Sequence, residues 1–360
     1  MHKKSAEAFL LNTASESKLE SKLESKLEPK TGKFGFLRWA WLLLLAASAG
    51  AQTCQSAGDM DASVRTALES AAKRYFDMAA RGDVASLKQN SISAVASNFG
   101  GIETAVKDNQ PAFSGAKAGV RPPFLLTAAG TQPLARAEFL CGVFGATGQT
   151  KDSAVFVLNN LPPGKYGVTI LDVSGGKAPI TLTLIVQQEG SDWKLADFLQ
   201  KSSQAAGHDA AWYAQRAREF KAKGQTHAAW LYYREVAALS AAVDIMSTLA
   251  TDRVYDEVHA LQPSDVPADG KTADLSGGGK AFHLIDIFPV AVANDLDVVV
   301  RYQAADISDT SRVFQDNIAV IKALVAKYPE LREAFAGAVA RAVDPSGRDY
   351  GTLLPMKDIK

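Results

Sequence analysis

From residue 137 to residue 199 the chain alternates short runs of β-branched and aromatic residues with tight turns, and this pattern restricts the fold more than any other feature. Strands are expected at 137–144, 153–158, 164–173, 179–188 and 193–199. Their turns are Gly-rich or Pro-Pro-Gly, as antiparallel hairpins require. Upstream, Val64, Leu68, Ala71, Tyr75 and Met78 recur at helical spacing over 61–80. Arg81-Gly82-Asp83 closes that helix and opens a second over 84–99, with glycine as C′ and aspartate as N-cap. Gly100-Gly101, Pro111 and Pro122-Pro123 mark an irregular passage, with a short helix near 103–107. Helices followed by a run of antiparallel strands make an α+β domain.

Two stretches carry a family resemblance. ARGDVASL (80–87) stands at the break between the first helices, and LIVQQEGSDWKLADFLQK (184–201) reads as a closing hairpin. Over about 60–203 this order resembles the NTF2-like, cystatin-like cone family. The resemblance implies helices laid on a curved antiparallel sheet, with the last strand on its concave side. It also implies a pocket that holds an aspartate as general base, often with histidine or tyrosine.

After a polar break at 201–208 the chain becomes helical. The segment AAWYAQRAREFKAKGQTHAAWLYYREVAALS (210–240) resembles a tetratricopeptide-type helix pair, with Trp212 and Tyr213 opening the first helix and Gly224 at the turn. One extra residue precedes the glycine, the proline expected at the end is missing, and no second copy follows. A lone unit cannot bury its own face, so the pair is expected to pack on a neighbour as a connector over 208–262. Residues 263–279, rich in Pro, Gly, Ser and Asp, read as a linker. Residues 280–360 read as a small ββαββ domain: a hairpin around Asn294-Asp295, a helix over 308–327 and a second hairpin across DPSGRD (344–349).

The N-terminal tail, 1–33, contains SKLESKLESKLE (17–28), whose one apolar residue in four is too thin a stripe to pack on a core. It is expected to be disordered or weakly helical, or to precede the true start. At 34–51, thirteen uncharged and mostly apolar residues follow Arg38 and close on Ala49-Gly50-Ala51. This has the form of a signal-peptide core and cleavage site, and it is short for a membrane span. Export to the periplasm or beyond is the expectation, with an uncleaved inner-membrane anchor as the alternative. Lipid on Cys54 is disfavoured, because Ala51-Gln52-Thr53 lacks the aliphatic and small residues that usually precede a lipidated cysteine. Residues 1–51 hold 8 basic and 5 acidic residues; without them 31 basic residues face 34 acidic ones, a net charge of −3. That balance does not suggest nucleic acid as a partner. Cys54 and Cys141 can pair in an oxidising compartment. The sequence slightly favours the alternative of two separate thiols, one in a loose N-terminal segment and one in a buried strand.

The chemistry is sparse. Residues 60–203 contain no histidine, which removes an Asp–His dyad from the pocket. Tyr166 and Asp172 fall on one face of a strand, and with Tyr75 they are weak catalytic candidates. The same three residues and Trp193 are the candidates for a ligand pocket, suited to a small apolar ligand. Tyr75 on an apolar helix face also reads as a core residue with its hydroxyl at the rim. Trp212, Trp230 and Tyr233 are candidates for contact with an envelope protein partner. His227 is expected in an exposed helix turn. The five histidines show no HExxH or paired spacing, so neither a metal nor a cofactor is expected. SGGGK (276–280) lacks the phosphate-loop pattern and leads into a strand, so it reads as linker. Together these features indicate a non-catalytic binding or scaffolding protein. A pocket-carboxylate enzyme and a tetratricopeptide-like interaction module remain as alternatives.

Overall fold

The computed structural model describes residues 52–143 and 148–360; the tail and the apolar segment, 1–51, lie outside the described residues. The fold is α+β with open sheets, divided into two compact units, Met1–Gln200 and Lys201–Lys360.

In the first unit, strand β1 (Gln52–Gln55) precedes helices α1 (Ala62–Ala80), α2 (Val84–Gln89), α3 (Ser93–Ser97), α4 (Gly100–Asp108) and α5 (Gln110–Phe113). The expected break stands where its chemistry places it: Gly82 takes φ +68°, and Asp83 Oδ1 accepts from Ser86 N at 3.0 Å. The single helix expected over 84–99 is in fact two. Asn90 and Ile92 exchange backbone bonds with Leu195, each 2.9 Å, and this pairing interrupts the helix.

Strands β2 (Lys117–Val120), β3 (Phe124–Ala128), β4 (Leu134–Cys141), β5 (Ala154–Leu161), β6 (Gly164–Ser174), β7 (Ile180–Glu189) and β8 (Asp192–Ser202) complete the unit. The main sheet has six strands in the order β1-β3-β6-β7-β8, with β2 also on β6. One face of β6, β7 and β8 packs on α1 through Leu68, Tyr75, Phe76, Leu171, Leu182, Leu184, Trp193 and Leu195, a single buried cluster. Gly167 permits the close approach, since a Cβ there would lie 2.1 Å from Leu68 Cδ2. Strands β4 and β5 pair as an antiparallel ribbon that buries Ala137, Phe139 and Cys141 and leaves Leu140 exposed between them, the alternation of a half-buried strand.

The second unit holds α6 (Ala210–Ala222), α7 (Thr226–Ser240), a short strand β9 (Met246–Thr248) and α8 (Leu249–Leu261). Its five-stranded sheet has the order β10 (Ala273–Gly277), β11 (Lys280–Val292), β12 (Asp295–Gln303), β13 (Gly337–Val343), β14 (Asp349–Pro355). Helix α9 (Thr310–Lys327) carries the chain from β12 to the parallel β13, followed by α10 (Leu331–Ala334). One core cluster joins α6 and α7 to this sheet through Phe220, Trp230, Tyr232, Leu284, Val300 and Leu324, so connector and ββαββ element form one body. The expected linker is partly strand: β10 pairs with β11, with Leu275 opposite Phe282. SGGGK is their hairpin turn, pressed on α9 so closely that a Cβ at Gly277 would lie 2.6 Å from Ala323 Cβ.

Candidate functional site

Tyr75 and Trp193 meet in the core of the first unit. The Tyr75 hydroxyl is fully buried, 2.8 Å from Asn90 O and 2.9 Å from Trp193 O, and Arg74 Nη2 donates to Trp193 O at 3.1 Å. Burial raises the phenol above its usual range against the opposing pull of Arg74. The hydroxyl thus ties α1 to the α2–α3 break and to β8. The Trp193 ring belongs to the core cluster, not to a ligand platform.

Tyr166 and Asp172 do share the face expected from strand alternation, but they are not brought together. Six residues of extended strand separate them, about 20 Å. The Tyr166 hydroxyl donates to Pro162 O at 2.8 Å, with the ring buried and its phenol pushed up by desolvation. Asp172 is exposed and held by Arg121 through two bonds, Nε to Oδ2 at 2.9 Å and Nη2 to Oδ1 at 2.6 Å. None of the expected pocket residues presents a free acid or base to a cavity.

In the first unit one acid was not anticipated. Asp197 in β8 is raised above the ordinary carboxyl range, because burial outweighs its bond from Phe198 N. Elsewhere in the sheet, the buried hydroxyls of Thr183 on β7 and Thr169 on β6, on opposite faces, have no hydrogen-bond partner. An aspartate inside the apolar run LADFL is the sequence signal that marks this place. Among the described residues no group of three or more His, Cys, Asp or Glu could hold a metal ion.

Cys54 and Cys141 form a disulfide across a sequence separation of 87, with Cα atoms 4.9 Å apart. This corrects the expectation of two separate thiols. The N-terminal segment is not loose: residues 52–55 pair with β3, and Gln52 Oε1 accepts from Glu138 N at 2.7 Å, which carries Cys54 to β4. The sulfur that a lipid thioether would need is bonded to Cys141.

In the second unit Trp230 and Tyr233 are buried, at 3% and 7% exposure, with the Trp230 face under the Arg234 guanidinium at 5.1 Å. They pack the core, so the aromatic interaction groove expected near Trp230 is not formed by them. Trp212 is half-buried and stacks on His208 at 3.7 Å, almost parallel. These two rings border a shallow recess of about 330 Å³, walled opposite by Glu333 and Phe335. Its floor is tied by the Tyr232 hydroxyl, which donates to Ala334 O at 2.6 Å. His227, expected in solvent, has a side chain only 17% exposed between Asp265 and Glu330.

No family model matches the chain, and neither the curated proteins nor the solved structures hold a match to it.

Proposed function

We propose that the chain is an exported, non-catalytic binding or scaffolding protein of the cell envelope. In this reading the first unit is an NTF2-like cone filled by its own side chains, and α6–α7 is a tetratricopeptide-like hairpin used to build the second core. The observation that carries the proposal is the engagement of every polar group expected in the pocket: Tyr75 and Tyr166 on backbone carbonyls, Asp172 on Arg121. A hydroxyl that donates to a carbonyl of its own fold is turned to that carbonyl and not to a ligand. Export is supported by the small-residue site Ala49-Gly50-Ala51 directly before β1, and by a disulfide that persists in oxidising compartments.

The test is mass spectrometry of the protein expressed with its own N-terminus and recovered outside the cytoplasm. A polypeptide beginning near Gln52, without lipid, with the Cys54–Cys141 bond and without retained small molecule is the expected result. Substrate turnover that disappears in Tyr166→Phe or Asp172→Asn would overturn the non-catalytic reading.

One observation favours a second reading, an NTF2-like isomerase, dehydratase or hydrolase: burial holds the Asp197 carboxyl above its usual pKa, the direction in which a general acid or base is tuned. That reading requires an activity abolished by Asp197→Asn with the fold intact.

A further inference from the structure

His227, near the start of α7, lies between two carboxylates from different parts of the second unit. Its Nε2 is 2.9 Å from Asp265 Oδ1, in the segment between α8 and β10, and its Nδ1 is 2.8 Å from Glu330 Oε1, at the start of α10. Tyr328 packs over the imidazole at 3.9 Å between ring centres and donates its hydroxyl to the Asp265 backbone carbonyl at 3.0 Å. Lys327 Nζ stands 3.5 Å from Asp265 Oδ2. Asp265, Glu330, Tyr328 and Lys327 are the charged and titratable groups that face the ring; a little farther out, Lys223 and Gln225 are engaged by Glu333.

A neutral imidazole has one N–H and one lone pair. It can donate to one of these carboxylates, and its bare nitrogen then faces an oxygen that also carries only lone pairs. Both bonds form together only when the trio holds one further proton, placed on the ring as imidazolium. Asp265 is the partner that keeps its bond. Burial pushes its carboxyl up, but bonds from His227 and Tyr328 and the Lys327 charge hold it below the usual range, so it remains ionised. Glu330 has no cation besides the ring among its described partners. Loss of the proton therefore sets Nδ1 against Glu330.

We propose that His227 is a pH-operated clasp: protonated, its ring holds the start of α10 against α7, and deprotonated it releases Glu330. The segment that begins at this bond, 330–336, includes Glu333 and Phe335 of the recess beside Trp212. The clasp therefore bears on one wall of that recess through the charge of the ring.

The sign follows from the proton count. The clasped form binds more protons than the released one, so it is favoured on the acid side and lost as pH rises. The experiment is hydrogen exchange on the full chain at pH 5.5 and pH 8, corrected for intrinsic rates and read on peptides covering 328–336. Protection about tenfold higher at the lower pH is expected, the size of one charge-assisted hydrogen bond. His227→Gln should abolish that difference at the lower protection. Glu330→Gln should abolish it at the higher protection, because an amide can donate to a bare Nδ1 as well as accept from a protonated one. Ring ¹⁵N spectra check the same point without a variant: imidazolium at pH 5.5 and the Nε2–H tautomer at pH 8. Equal protection at both pH values in the unaltered chain, or a neutral His227 ring at pH 5.5, overturns the proposal.

Discussion

Removing the disulfide is the perturbation with the most calculable outcome. The bond closes a loop over a sequence separation of 87. In the chain-entropy treatment, closing such a loop in the unfolded ensemble stabilises the fold by about 4.6 kcal/mol at 25 °C. The folded state should lose little by reduction. Residues 52–55 keep their backbone pairing with β3, and Gln52 keeps its bond to Glu138 N. Most of the effect therefore belongs to the unfolded chain, and a Cys54→Ser/Cys141→Ser variant is expected to be less stable by about 3 to 4.6 kcal/mol. With a urea dependence of about 2 kcal/mol per molar, the midpoint falls by about 2 M. Hydrogen exchange of β6 peptides across a urea series reads the first unit by itself. Midpoints that agree within about 0.3 M would refute the loop-closure reasoning. Free thiols at both positions in unreduced protein would refute the pairing itself.

Three further outcomes follow from the same packing. Tyr75→Phe should cost only about 1 kcal/mol, because Asn90 O still accepts from Leu195 N and Trp193 O from Arg74, so neither carbonyl is orphaned; chemical denaturation measures it. Gly176→Ala should destabilise by about 3 kcal/mol, read by the same method, since the new Cβ would stand 2.1 Å from the backbone oxygen of Ala112, which cannot swing aside. Glu235, buried in α7 at 8% exposure, has its carboxyl pushed up to about 7 by desolvation, against the pull of Lys201. Its folded value lies above its unfolded one, so its contribution is complete below about pH 4.5 and is lost as pH rises to about 7, a fall of about 3 kcal/mol that Glu235→Gln should remove from a stability–pH curve.

How much of this was legible depended on where each residue's partner lay. The α1 periodicity, the Gly82-Asp83 break and the hairpin turn at Gly190 are local, and their residue types announce them. The α2–α3 break was hidden because the bonds that cause it come from Leu195, far along the chain. Strand β1, QTCQ, carries no apolar alternation and became a strand only through β3 and the disulfide. The β11–β12 turn falls one residue earlier than expected, with Ala293 at φ +56°, a conformation that alanine does not signal. The pocket residues failed for a different reason. Alternation gives the face of Tyr166 and Asp172 but not the distance between them, and it says nothing of Arg121. His227 and its two carboxylates lie in three separate stretches, so no motif could join them.

The position of Cys54 also decides how the first unit would bear load. A pull entering from the N-terminal side meets a covalent link after Gln52 and Thr53, and the force passes through sulfur into β4. The pairing of β1 with β3 beyond Cys54 is spared from being peeled one bond at a time. A chain held at its N-terminal end would in this way be fastened to its domain by a rivet instead of a zipper, and reduction would turn that anchorage from a strong joint into a weak one.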